Sequence, residues 1–349
     1  MKWWRSKWAQ GAVSLVAVGA IFGFLFPKLA NYDQAWKSVT HMGWMPVSVL
    51  AVVALWNLFS YLPLMISVVP GMKLREAAIS TLASTAVSNT LPGGGAIGVG
   101  VTVTIQRSLG IPTGDITLGA VVSGVWNNFA KLGLPVAALG LLAITGDVGS
   151  GLAVAALIGL AVLTTLIVAL GLVLRSSVVA GRVGARAARI ATVPMRLIGR
   201  APRTDWAAGA ISFRERTIGL VAGRGWIITA ATIVSHLSLY LVLLMSIRAV
   251  GVSEAQVGWI EILAAFAFVR LLSAIPITPG GLGVVELGLA ASLGSGLADP
   301  VQNKIAAAVL LYRALTWFTP IPLGAASWVF WRWTIARRHT ARRSVPAVS

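Results

Sequence analysis

Two Pro-Gly-Gly breaks inside apolar sequence constrain this chain more than any other feature. Residues 90–101 read TLPGGGAIGVGV and residues 277–288 read ITPGGLGVVELG. Each break is flanked by apolar, helix-compatible sequence. In hydrocarbon the backbone has no water to bond, so a broken helix is tolerated only inside protein or beside a water-filled cavity. Two interrupted segments at matching places in two halves of a chain point to a transporter's substrate site.

That argument needs a membrane, and the composition supplies one. Only 11% of the 349 residues are charged, 57% are hydrophobic and the mean hydropathy is +0.85. A soluble domain carries about 25% charged residues. There is no cysteine, which removes disulfide and thiol chemistry. The three histidines, His41, His236 and His339, are too few for a His-rich metal site. The net charge of +18 is concentrated in runs. Lys2, Arg5 and Lys7 open the chain, ten arginines lie within 175–224 against Asp205 and Glu215, and five lie within 332–343. The positive-inside rule reads these runs as cytoplasmic faces, able to hold anionic lipid headgroups. No nucleic-acid motif accompanies the charge, so nucleic acid is not an expected partner.

The fold class expected is an all-α polytopic integral membrane protein. It has about seven or eight transmembrane helices in two repeat-like halves. The first half is 1–174, with a retained first helix at 9–26, a span at 44–69 and a broken segment at 77–109. Each arm of that segment is too short for the roughly 20 residues of a full crossing, so a re-entrant hairpin is expected. Spans at 115–145 and 151–174 follow, the latter facing lipid. Residues 175–224 form a basic cytoplasmic connection, with an amphipathic surface helix near 183–197. The second half, 225–336, holds a span at 225–247, a broken segment at 254–295, and closing helices at 300–318 and 321–333 separated by Pro320 and Pro322. A basic tail, 337–349, ends the chain. Trp328, Trp331 and Trp333 read as an interfacial belt. With both broken segments re-entrant the count is seven and the C-terminus lies outside. Eight spans keep it inside with the other basic runs. Gly93-x-Gly95-x-x-Gly98 formally matches a dinucleotide fingerprint, but no βαβ pattern surrounds it.

The motif at 277–288, followed by AVLLYRALTWFTPIPLG at 308–324, resembles the lysylphosphatidylglycerol synthase transmembrane region, the flippase-like domain family. NTLPGGGAIGVG at 89–100 resembles the family's looser first motif. The resemblance covers nearly the whole chain. It implies a lipid-handling membrane module of about eight spans, a standalone flippase half without the synthase domain. The family's first motif often continues with an acid and an arginine. Here 99–104 reads VGVTVT, with Arg107 standing in for the arginine and nothing for the acid.

Glu286, Arg313 and Arg270 lie in apolar surroundings. A charge at the bilayer centre costs at least about 2.5–3.5 kcal/mol, so these groups should pair or face water. Glu286 is expected to pair with Arg313 or Arg270, either as architecture or as a device that orients the arginines toward a lipid phosphate. Lys131 and Asn127 share a helix face, as interhelical glue or as part of the same cavity. The nominated lipid site comprises Pro279, Gly280, Gly281, Gly283, Glu286, Arg270 and Arg313, with Asn89, Pro92, Gly93, Gly94, Gly95, Arg107, Asn127 and Lys131. The glycines allow close backbone approach, and the half-helix N-termini after both breaks should point at the phosphate. No catalytic constellation, cofactor site or metal site is expected. The expected function is movement of an anionic, phosphate-bearing lipid between leaflets of the plasma membrane, passive or ion-coupled with Glu286 as the proton site. The alternative is a non-catalytic subunit presenting a lipid-linked substrate to a separate glycosyl- or aminoacyltransferase.

Overall fold

The computed structural model of the chain describes residues 39–91, 93–145, 150–197, 206–273 and 278–343, with Asp33 and Lys37. The expected first helix, Pro92 and the last six residues lie outside them. The described residues contain helices and no strands. They are α1 (Trp44–Ser60), α2 (Leu62–Val68), α3 (Leu74–Thr90), α4 (Gly94–Ser108), α5 (Thr113–Thr145), α6 (Ser150–Arg175), α7 (Ser177–Leu197) and α8 (Trp206–Ala249). After them come α9 (Trp259–Leu272), a 3-10 turn (Pro279–Gly281), α10 (Val284–Gly294), α11 (Asp299–Arg313), a π-turn (Ala314–Phe318) and α12 (Pro320–Arg343).

Among the described residues, five helical runs are long and apolar enough to cross a membrane: Trp44–Val68, Thr113–Ile144, Leu157–Arg175, Ala208–Ala249 and Asp299–Thr334. In α6 the apolar window buries nothing, and Leu157, Ile158, Leu166 and Leu172 are exposed. This is a surface made for lipid tails rather than water.

Both broken segments fold as short antiparallel hairpins, α3–α4 and α9–α10. At about 1.5 Å per residue their arms run from about 17 to 26 Å, short of the roughly 30 Å hydrocarbon core. The first hairpin closes tightly because its facing residues are small. A Cβ on Gly94 would strike the Ser88 backbone, and one on Gly98 would meet Ser88 and the Ser84 carbonyl. In the second, Gly288 sits against Val269 and Gly281 against Ser273.

The hairpins enter from opposite ends of the bundle. The arginine-rich end gathers the start of α3, where Arg75 lies over the Phe330 ring at 4.8 Å. It also holds the end of α4, where Trp331 Nε1 donates to Ser108 Oγ at 2.9 Å. The Arg216–Asp115 ion pair joins α8 to the start of α5 there, and Arg214 Nε donates to the Leu174 carbonyl at the end of α6. The opposite end gathers the second hairpin's roots. Tyr240 OH donates to the Trp259 carbonyl at 2.9 Å, Arg248 pairs with Glu254, and Lys304 Nζ reaches the Gly251 carbonyl at 3.5 Å. Helices α1–α2 and α8 run antiparallel, joined by Asn57 to Ser238 and by Arg224 to the Ile66 carbonyl. Long helix, hairpin, long helix therefore occurs twice with inverted direction. One core surrounds the second hairpin, built on Phe266, Leu243, Ile262, Leu289 and Ile305. The other, on Leu64, Val68, Leu118 and Ile228, braces the first.

Two boundaries and one side chain differ from the sequence expectation. Helix α8 begins at Trp206, not near 225, because a string of arginines ends a hydrophobic window without ending a helix. The closing helices are one helical run. Thr319 has αR geometry and its N–H reaches back five residues to the Ala314 carbonyl, so a π-turn carries the chain through Pro320 and Pro322. Trp331 is buried against Ser108 and Ile105, not in a surface belt.

Candidate functional site

The hairpin tips meet midway along the bundle. Asn89 Nδ2, at the end of α3, donates to the Trp317 carbonyl on the π-turn at 3.0 Å. Gly280, at φ 57°, lies against both residues. A Cβ there would come within 3.2 Å of Asn89 Oδ1 and closer still to the Trp317 indole. This tip needs glycine twice over, for the left-handed backbone and for the space.

Behind the second tip stands an ion pair. Glu286 is 1% exposed, and its Oε1 accepts from Arg313 Nε at 2.6 Å. Its Oε2 accepts from the Gly283 N–H, also at 2.6 Å, closing the first turn of α10. Arg313 donates through Nη2 to the Gly280 carbonyl at 3.1 Å and lies over the Trp317 ring. One acid and one arginine thus fix the second break, the π-turn and the start of α10 to one another. With both oxygens engaged, Glu286 already has a complete structural role. Arg313, not Arg270, is its partner.

A cavity of about 410 Å³ opens between the tips. Its walls include Asn89, Gly93, Gly94, Gly95, Lys131, Arg270, Pro279, Gly280, Gly281, Tyr312, Arg313 and Trp317. Arg270 and Lys131 have no acid partner among the described residues. Arg270 Nε and Trp317 Nε1 are buried without a hydrogen bond. A second cavity of about 480 Å³ continues toward the arginine-rich end and shares Thr85, Ser88, Gly95, Leu239, Arg270 and Thr316 with the first. Asn127 lines this one, donating to Tyr61 OH at 3.1 Å.

Most nominated residues therefore converge, with two departures. Arg107 is exposed at the arginine-rich end and donates to Thr113 Oγ1, far from the tips. Gly283 caps α10 and lines neither cavity, because Glu286 already occupies its amide. Of the two half-helices that follow the breaks, α4 is the one that presents an N-terminus without a side-chain cap to the cavity. Sequence reasoning missed Trp317, Tyr312, Tyr61 and the placement of His236 in a cavity wall. The run of Ser and Thr on α3 was the available signal for the second cavity.

An apolar exterior with a cationic cavity between broken helices defines a polytopic membrane protein built around a polar interior. The chain belongs to the family described as the lysylphosphatidylglycerol synthase TM region, which it matches over residues 9–324. It is a multi-pass membrane protein of a lipid-handling family. No curated protein matches it.

Proposed function

We propose that this protein moves an anionic, phosphate-bearing lipid between the leaflets of the plasma membrane and performs no covalent chemistry. The observation that carries the reading is a pair of cations without acid partners among the described residues, Lys131 and Arg270, facing one cavity between two hairpin tips. A cation left in hydrocarbon costs several kcal/mol, and such residues mark substrate pathways. A phosphate between them gains charge-assisted hydrogen bonds, and Arg313 holds the tip that shapes the cavity. The acyl tails stay in the bilayer while the headgroup passes.

The topology proposed with it has six spans, counting the apolar stretch at 9–26, and two re-entrant hairpins entering from opposite faces. The N-terminus, the arginine-rich end and the C-terminus are then all cytoplasmic, where the basic faces meet anionic headgroups. Cysteines introduced at Arg107 and Ala298 should label from opposite sides of the membrane. Labelling of both from one side contradicts this topology.

The functional test is leaflet-resolved movement of phosphatidylglycerol by purified protein in liposomes. Arg270→Gln should lower the rate at least about tenfold, the equivalent of ~1.4 kcal/mol, while the melting temperature in detergent holds or rises. Unchanged translocation in this variant overturns the reading.

A further inference from the structure

We infer that the preferred headgroup is a phosphodiester carrying an uncharged polyol, and that the site discriminates against amine-bearing headgroups. The inference rests on the translocation reading above and adds the substrate class.

It comes from the second cavity, which continues from Arg270 toward the arginine-rich end. Its walls carry Thr81, Ser84, Thr85, Ser123, Asn127 and His236. Neither this cavity nor the one between the tips has a carboxylate in its wall. The wall is rich in hydrogen-bond acceptors. Ser84 Oγ donates to the Thr81 carbonyl, so its hydroxyl proton is spent within its own helix and an oxygen lone pair remains. His236 Nδ1 lies 3.0 Å from the Thr232 carbonyl, which makes it the protonated nitrogen and leaves Nε2 as an acceptor. That Nε2 and Thr81 Oγ1 are both buried without partners. A buried polar atom left unbonded is costly, so Nε2 calls for a donor from outside the protein, and the Thr81 hydroxyl for a group that can donate, accept or both, as a ligand hydroxyl does.

Acceptors suit an ammonium as well as a hydroxyl, and charge decides between them. The inner end of this cavity is Arg270, with Lys131 and Arg313 just beyond it, and the acid in the region, Glu286, is committed to Arg313. An amine would enter like charge with no counter-ion to meet it. A glycerol, inositol or sugar extension would donate to the free acceptors while its phosphate meets the cations. The cavity, about 480 Å³, has room for a group of that size beyond the phosphate.

The experiment compares fluorescent phosphatidylglycerol, phosphatidylinositol, phosphatidic acid, phosphatidylethanolamine and lysylphosphatidylglycerol in the same liposome assay with the full chain. The two polyol lipids should move at least about tenfold faster than the two amine-bearing lipids, a difference of ~1.4 kcal/mol. The ratio of phosphatidylinositol to phosphatidylglycerol tells a ring polyol from glycerol. Equal movement of lysylphosphatidylglycerol and phosphatidylglycerol overturns the inference and leaves translocation standing. A variant combining Thr81→Val and Ser84→Ala, with its melting temperature checked, should pull the phosphatidylglycerol rate down toward that of phosphatidic acid. An unchanged ratio also overturns it. Should no lipid move, the translocation reading falls. The headgroup ranking is then read from lipid retention by native mass spectrometry, where equal retention of amine and polyol lipids contradicts the inference.

Discussion

The two hairpins share a Pro-Gly-Gly break and differ in almost everything else. The α3–α4 hairpin is uncharged near its tip, lined with Ser and Thr, and closed by glycine against serine. The α9–α10 hairpin is apolar, buries Phe266 and Leu289, and carries Arg270 and Glu286. Its break holds three glycines with positive φ, Gly280, Gly281 and Gly283, against the single Gly93 at the first tip. The same local device thus serves two ends. One hairpin supplies a wall of neutral hydrogen-bonding groups, and the other supplies charge and the ties that hold that charge in place.

The contrast can be broken most severely at Glu286. Glu286→Ala strands the Arg313 guanidinium, whose side chain is 11% exposed, and opens the first turn of α10. Removing one partner of a buried pair costs about 3–5 kcal/mol. The melting temperature in detergent should fall steeply, and adding Arg313→Gln should recover part of the loss. A single variant as stable as wild type would mean that the pair does not hold the second hairpin. Gly94→Val strikes the first hairpin through packing alone, forcing α4 away from Ser88. Overpacking costs ~1–3 kcal/mol, and translocation should drop with stability. An undisturbed Gly94→Val would mean that the tight closure of α3 on α4 is incidental. The smallest effect is expected at Arg107. It is exposed and bonded only to Thr113, so Arg107→Gln should change stability by less than ~0.5 kcal/mol and leave translocation intact. A large loss there would move the first hairpin's functional end away from its tip.

Arg107 also shows where sequence reading stops. It follows the first motif closely in the chain, which suggested a stand-in for the family's arginine. Yet fourteen helical residues separate it from Gly93, and at ~1.5 Å each that is about 21 Å, enough to carry it to the bundle's end. The breaks themselves were legible because an interrupted helix in apolar sequence has few physical explanations. Glu286 and Arg313 were legible because interior charges must be satisfied. The choice of Arg313 over Arg270 was not, since it depends on how α11 lies against α10. Pro320 and Pro322 suggested a second separate helix, and only the backbone shows a π-turn absorbing their missing N–H groups. The neutral cavity was the least legible part. Tyr61 and His236 reach it because α1–α2 and α8 run antiparallel, and no local pattern encodes that pairing.

The most direct test of two hairpins meeting from opposite ends around a headgroup cavity uses the absence of native cysteine. Asn89→Cys and Thr278→Cys place one thiol at each tip, beside the same cavity. In membranes, a short bismaleimide should join the two within one chain, and the joined protein should lose the translocation that the same double variant retains before cross-linking. Failure to cross-link would contradict the meeting of the tips. Full translocation by the cross-linked protein would contradict the passage of a headgroup between them.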